Sequence, residues 1–225
     1  MTFELDHLFI CTAVDAPEAD LLRAFGLAEG SPNTHPGQGT ANRRFFFRNA
    51  MLELVWVHSE HEARSPLVAP TRLWERWHYR STGYSPFGIC LRPSAPRGAT
   101  SPALPFATWA YRPPYLPAGL HIDVATGTAD GEPMLFATPF GGRPDAVPVE
   151  RRQPLVHPRG FGEITGLRIT LVRSEPMSRA VRRVLETSLV SFDPGSAHLA
   201  EVEFDHGGQG RSADFQPTLP LRLCW

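Results

Sequence analysis

The stretch from Asn33 to Trp56 restricts the fold more than any other part of this chain. Pro36, Gly37 and Gly39 favour irregular backbone over a helix or a ladder, so Thr34 to Gly39 reads as a shaped loop. Arg43 to Arg48 is then aromatic-rich and Met51 to Val57 aliphatic, both of strand type, joined by a tight connection at Asn49-Ala50. Glu53 interrupts the second strand among Leu52, Leu54, Val55 and Trp56. An unpaired buried carboxylate is very costly, so Glu53 faces either solvent or a cavity that needs a charge.

Before this stretch, Phe3 to Thr12 alternates as a strand, with Phe3, Leu5, His7, Phe9 and Cys11 on one face and Leu8 and Ile10 on the other. A helix follows, with Asp15 as N-cap, Pro17 in its first turn and Glu18 completing a capping box. Leu21, Leu22, Phe25 and Leu27 form its apolar side and Gly26 ends it. A strand-helix order recurs from Glu163, with a strand to Leu171 and a helix over 176–186 whose inward residues are Met177, Val181, Val184 and Leu185. An offset of 159 sets Leu8 on Leu167 and Pro17 on Pro176, and an offset of 169 sets Leu54 on Leu223, which suggests an internal duplication.

Residues 58 to 160 are proline-heavy. They suggest a short helix over 70–79, a strand over 85–92, an aromatic loop over 106–117 and further strands over 119–124 and 133–140. The division expected is a first module at 1–58, an inserted lid or side wall at 59–160 and a second module at 161–225, all within one compact domain.

Composition narrows the function classes. With 22 basic against 23 acidic residues the net charge is -1, so no overall field draws in nucleic acid or an anionic membrane. Every basic residue among the Lys and Arg positions is arginine, which removes Schiff-base chemistry and lysine-dependent phosphate loops. Three cysteines, Cys11, Cys90 and Cys224, read as reduced thiols of a cytoplasmic protein. No targeting signal opens the chain, and no apolar run reaches the roughly 18 residues of a membrane helix.

The strand-helix-strand-strand-strand order, with a histidine in the first strand and a glutamate in the last, resembles the vicinal oxygen chelate superfamily of glyoxalase I, extradiol dioxygenases and fosfomycin-resistance proteins. Leu5-Asp6-His7-Leu8, the loop His35 to Asn42 and Met51-Leu52-Glu53-Leu54 are similar to its glyoxalase-like subgroup. The resemblance implies an α+β fold in which two βαβββ modules form one cupped mixed sheet, with first and fourth strands side by side. It further implies His7 and Glu53 in one cup, as metal ligands or as an acid-base pair. A divalent ion (Mn, Fe, Ni or Zn) would need a third ligand, with His121, Glu201 and Glu203 as candidates. The offsets pair His7 with Gly166 and Glu53 with Arg222, neither of them a usable ligand.

His35 and Asn42 are candidate substrate-binding residues of the glycine-rich loop, whose amides suit an anion as well as a local turn. Arg43 and Arg44 alternate, so one faces the cup and suits a carboxylate. Trp109, Tyr111 and Tyr115 suit the roof of a pocket or a loop-to-core contact. The resemblance implies a glyoxalase-like lyase, isomerase or oxygenase acting on a small oxygen-bearing substrate, and the chain is expected to be monomeric or homodimeric. The alternatives are a binding or resistance protein using the same cup, and a structural module whose cup is filled.

Overall fold

The computed structural model describes residues 3–94, 103–138, 142–172 and 176–225. A first unit holds β1 (Phe3–Cys11), α1 (Glu18–Phe25), β2 (Asn33–His35), β3 (Thr40–Phe46) and β4 (Met51–Val57). Short helices α2 (Glu60–Ala63), α3 (Leu73–Trp77) and α4 (Tyr79–Thr82) lead to β5 (Phe87–Pro93), β6 (Thr108–Tyr111), β7 (Ile122–Ala125) and β8 (Met134–Ala137). The C-terminal unit holds β9 (Ile164–Leu171), α5 (Arg179–Leu185), β10 (Ser191–Pro194), β11 (Leu199–Phe204), β12 (Ser212–Asp214) and β13 (Leu221–Cys224).

The fold is α+β, built on two open mixed sheets. One has the order β2-β3-β4-β1-β5-β8-β7-β6, the other β10-β9-β11-β13-β12. In the larger sheet β1 runs parallel to β4 and β5 parallel to β8, while β1 and β5 meet antiparallel at the seam. The two halves therefore repeat one strand order about that seam.

This pairing corrects the expected partition. Strands β5 to β8 form no lid, since they supply half of the main sheet, and the segment over 106–117 contributes strand β6. Residues 161–225 build a separate sheet in which β9 pairs with β10 and β11, so β9 and β13 do not touch as β1 and β4 do. The matched apolar residues of the two ends reflect strands with one buried face, and backbone pairing gives them different neighbours.

The main core lies between the two sheets. Leu8, Ile10, Leu52, Leu54, Ile89 and Leu91 face it from the larger sheet, and Ile169, Val202, Leu221 and Leu223 from the smaller. Each such side chain contributes about 1.5–3 kcal/mol when fully buried. Phe3 and Leu5 join this core, and not the face of His7, Phe9 and Cys11 as simple alternation predicts. The register against β5 shifts between Leu5 and His7, and such a bulge changes which side of the sheet successive residues address.

Helix ends also differ from expectation. Asp15 lies in the left-handed region at φ 63°, and Pro17 precedes α1 without a side-chain cap. Glu18 instead reaches back to accept from the Ala13 amide at 3.1 Å. Gly26 does end α1, at φ 112°. Leu21 and Leu185, expected inward, are exposed.

Candidate functional site

A cavity of about 410 Å³ opens on the side of the larger sheet that faces away from the main core. Phe9, Val55, Tyr111, Ile122, Met134 and Phe136 belong both to its wall and to a second apolar cluster. His7, Glu53, His35, Asn42 and Arg44 line the same space, so five of the site residues expected from the first unit converge there with Tyr111. The cup is not filled by side chains.

His7 and Glu53 form its ionisable centre. The bulge in β1 lets both Asp6 and His7 reach the cavity, although neighbours in a regular strand point to opposite faces. His7 Nδ1 lies 2.7 Å from Asp6 Oδ1, and His7 Nε2 lies 3.5 Å from Glu53 Oε2. Asn42 Nδ2 donates to Glu53 Oε1, while Asn42 Oδ1 accepts from the Asn33 amide at 2.8 Å. Arg92, buried behind the site, reaches Asp6 Oδ2 at 3.4 Å and Glu4 Oε2 at 2.8 Å. Glu53 thus has one oxygen held by Asn42 and the other turned to His7.

The histidine is biased towards its charged form. Burial opposes the charge, but the facing Cys90 sulfur and the Asp6 carboxylate more than offset it, raising His7 well above the ordinary histidine range. Burial pushes the Cys90 thiol up, and Asp6, bonded to His7 Nδ1, is the carboxylate at the ring. Asp6 is itself lowered: burial works against its charge, and the hydrogen bond and charge of His7, then Arg92, overcome it.

A second polar group occupies the β2–β3 side. Tyr111 and Tyr115 both donate to Gln38 Oε1, at 3.0 and 3.3 Å, and Gln38 Nε2 donates to Thr40 Oγ1 at 2.8 Å. His35 Nδ1 lies 2.9 Å from the same Thr40 oxygen, with its ring against Tyr115. The glycine-rich loop serves this geometry and is not an anion cradle. Gly37 donates its amide to Glu62 at 2.7 Å, and Gly39, at φ 75°, packs where a Cβ would come within 2.4 Å of the Ser59 carbonyl oxygen.

Arg44 is the arginine that faces the cavity. Its Nε donates to the Ser31 carbonyl at 2.8 Å and its guanidinium lies over Phe46. Arg43 points the other way, bound to Glu29 at 2.6 Å and Asp20 at 2.9 Å. Two further expectations are corrected. Trp109 shares a face of β6 with Tyr111 and packs beside it against the apolar cluster, but it lies two residues further along the strand and does not line the cavity. His121 lies outside the site, a third exposed and 3.5 Å from Asp123.

A divalent ion fits this donor set poorly. His7 Nε2 and Glu53 Oε2 lie 3.5 Å apart, but among the described residues no third His, Cys, Asp or Glu ligand atom comes within 4.8 Å of both, where a catalytic site of the zinc kind takes three protein ligands. Asp6, His7 and Cys90 do bring three ligand-type atoms within 4.8 Å of one another. An ion held there would have to take Asp6 from Arg92 and deprotonate a buried thiol. No step below is routed through a metal.

Asp6, Gln38, Thr40 and Cys90 escape sequence reasoning. Asp6 needs the bulge, Gln38 and Thr40 carry no motif, and Cys90 depends on which strand meets β1. Cys90 stands directly opposite His7 across the seam. Glu53 lies opposite Phe9, two residues beyond His7, and continuing the β5–β8 register by one residue sets Thr138 opposite Arg92, two beyond Cys90. The counterparts of His7 and Glu53 are therefore Cys90 and Thr138, and not Gly166 and Arg222.

No helix among the described residues is long and apolar enough to cross a membrane. The chain matches no protein-family model and no curated protein. It is similar in structure to a hypothetical protein from Staphylococcus aureus known from a crystal structure, with a TM-score of 0.54, 10% sequence identity and 98% of each chain covered. At that identity the likeness shows a shared fold, and the chemistry has to be argued from the cavity itself.

Proposed function

We propose that this protein is a small-molecule enzyme of glyoxalase-like kind that performs acid-base chemistry, as a lyase or isomerase, on an oxygen-bearing organic substrate. The observation that carries this is the His7–Glu53 contact of 3.5 Å set in a cavity with predominantly apolar walls. Adjacency of β1 and β4, as the vicinal oxygen chelate resemblance implies, supports the same reading.

The geometry divides the work. Glu53 Oε2 takes a proton from the carbon next to a substrate carbonyl, the electron pair moves to the carbonyl oxygen, and His7 Nε2 gives that oxygen its proton. With a hydroxyl on the deprotonated carbon, return of the Glu53 proton to the former carbonyl carbon and loss of that hydroxyl's proton to His7 complete an isomerisation. With a leaving group on the next carbon out, the enol proton returns to His7, the carbonyl re-forms and the group departs with its bonding pair, which completes an elimination. Asn42 keeps Glu53 in place, Asp6 orients His7 through its Nδ1, and Arg44 suits a carboxylate on the substrate. Apolar walls exclude water, so each of these contacts acts in a low dielectric.

Solvent deuterium exchange tests this on a panel of ketones, aldehydes and 2-hydroxy acids. The wild type is expected to label at least one compound at the carbon next to its carbonyl or carboxyl group, with His7→Gln and Glu53→Gln each about 10²–10⁴-fold slower. Binding without exchange, unaffected by either substitution, would replace catalysis by sequestration, the reading that the apolar walls favour next. Near-stoichiometric Mn, Fe, Ni or Zn, lost in His7→Gln, would replace the metal-free mechanism.

A further inference from the structure

His35 takes no part in the proton transfer just described, yet its surroundings specify where its own proton sits. In the structure Gln38 turns its amide oxygen to the two tyrosine hydroxyls, and both donate to it. Its NH₂ group then donates to Thr40 Oγ1. Thr40 is fully buried, and among the described residues the only acceptor within reach of its hydroxyl hydrogen is His35 Nδ1. A hydroxyl that donates to Nδ1 leaves the single proton of a neutral imidazole on Nε2.

Nε2 itself takes no protein partner among the described residues, and the ring lines the cavity. Burial lowers the tendency of His35 to charge; Glu53 is the one anion acting in the other direction, and Arg44, His7 and His58 add to the effect of burial. A neutral histidine with a proton on Nε2 can only donate at that atom. An ammonium or hydroxyl hydrogen facing it would find no acceptor, and would leave a buried donor unmet.

We propose that His35 is a fixed-tautomer hydrogen-bond donor that presents Nε2–H to the cavity, and that the ligand seated there meets it with an oxygen acceptor, a carbonyl or carboxylate. The relay Tyr111/Tyr115–Gln38–Thr40 is the positioning device. This rests on the substrate-cavity reading for its ligand half alone; the tautomer stands or falls on the unliganded protein.

Ring-nitrogen NMR of the full chain, with the His35 signals assigned by their loss in His35→Gln, reads the tautomer directly. The wild type and Thr40→Ser are expected to show Nε2 protonated and Nδ1 as acceptor, and Thr40→Val to show a mixture of tautomers. A wild-type ring protonated on Nδ1, or on both nitrogens at neutral pH, overturns the proposal even if Thr40→Val does not fold. Acetophenone and ethylbenzene, nearly equal in shape, then test the ligand half. Acetophenone alone should shift the Nε2–H signal downfield, and identical responses to the two compounds would overturn selection for an oxygen acceptor. Neither measurement uses turnover, so loss of the acid-base mechanism would leave these results readable, and the reverse.

Discussion

In the first half of the larger sheet, parallel strands β1 and β4 carry His7 and Glu53; in the second half, β5 and β8 run parallel in the same way, with Cys90 on β5 and Thr138 one residue past β8. One half therefore brings a histidine and a carboxylate to the seam, and the other a thiol and a hydroxyl. Around them the second half supplies Ile122, Met134 and Phe136 as wall, plus the Tyr111 hydroxyl. The difference shows how a repeated strand order can be given unequal work. Charged groups from both halves would crowd like charges into a buried space, whereas one charged half against one apolar half keeps each ion hydrogen-bonded and raises its electrostatic effect.

The sharpest way to break this comparison is to substitute mirrored positions. His7→Gln or Glu53→Gln should slow proton exchange by about 10²–10⁴-fold, while Cys90→Ala should hold the rate within about tenfold, both read from the same labelling assay. Equal losses on both sides would mean that the halves share the chemistry. The next largest effect belongs to the wall. Phe136→Ala should cost about 3–5 kcal/mol in urea unfolding, since the ring packs on His7 at 5.3 Å and on Phe9 at 5.9 Å.

The seam itself is tested by Gly88→Ala. A Cβ at Gly88 would stand 1.9 Å from the Phe9 ring, so the variant should lose about 1–3 kcal/mol by overpacking, and an unchanged unfolding midpoint would show that the seam is looser than described. A smaller effect separates the adjacent arginines. Arg44→Gln should weaken binding of benzoate, an anionic probe, by about 1.5 kcal/mol, whereas Arg43→Gln should leave it unchanged and alter stability by less than about 1 kcal/mol.

The smallest effect is a pH limb. Raising a histidine's pKa on folding stabilises the protein fully below the unfolded value of 6.5, and that stabilisation is lost as pH rises through the folded value. Wild-type stability should therefore fall relative to His7→Gln on going alkaline from pH 6.5, and parallel curves for the two proteins would show that folding leaves the His7 proton unheld.

Much of the first unit was legible because alternation and turn chemistry are local. Glu53 among apolar neighbours, Asn42 and His35 beside a glycine-rich turn, and one cavity-facing arginine of an adjacent pair follow from a period of two. Alternation alone does not choose between Arg43 and Arg44; α1 and its following loop do, by offering Asp20 and Glu29 to Arg43. The bulge at Asp6 was illegible, since an extra residue in a strand depends on its partner's register. Residues 87–137 were misjudged for a related reason. Prolines and glycines mark loop-rich sequence, but β5, β7 and β8 are short strands whose membership of the sheet is decided by neighbours far along the chain.

By itself the sequence determined the α+β class, the strand-helix beginnings at both ends, the termination of α1 at Gly26 and most polar side chains of the cavity's first half. These are short-range consequences of side-chain shape, backbone freedom and burial. Only the tertiary structure decided that β1 meets β5 and not the C-terminal unit, that Cys90 faces His7, and that Tyr111, Gln38 and Thr40 join in one relay to His35. Backbone ladders carry no sequence label, so any strand with one apolar face can pair with many others. The choice among them is made by how the whole chain buries its apolar surface, and the site inherits that choice.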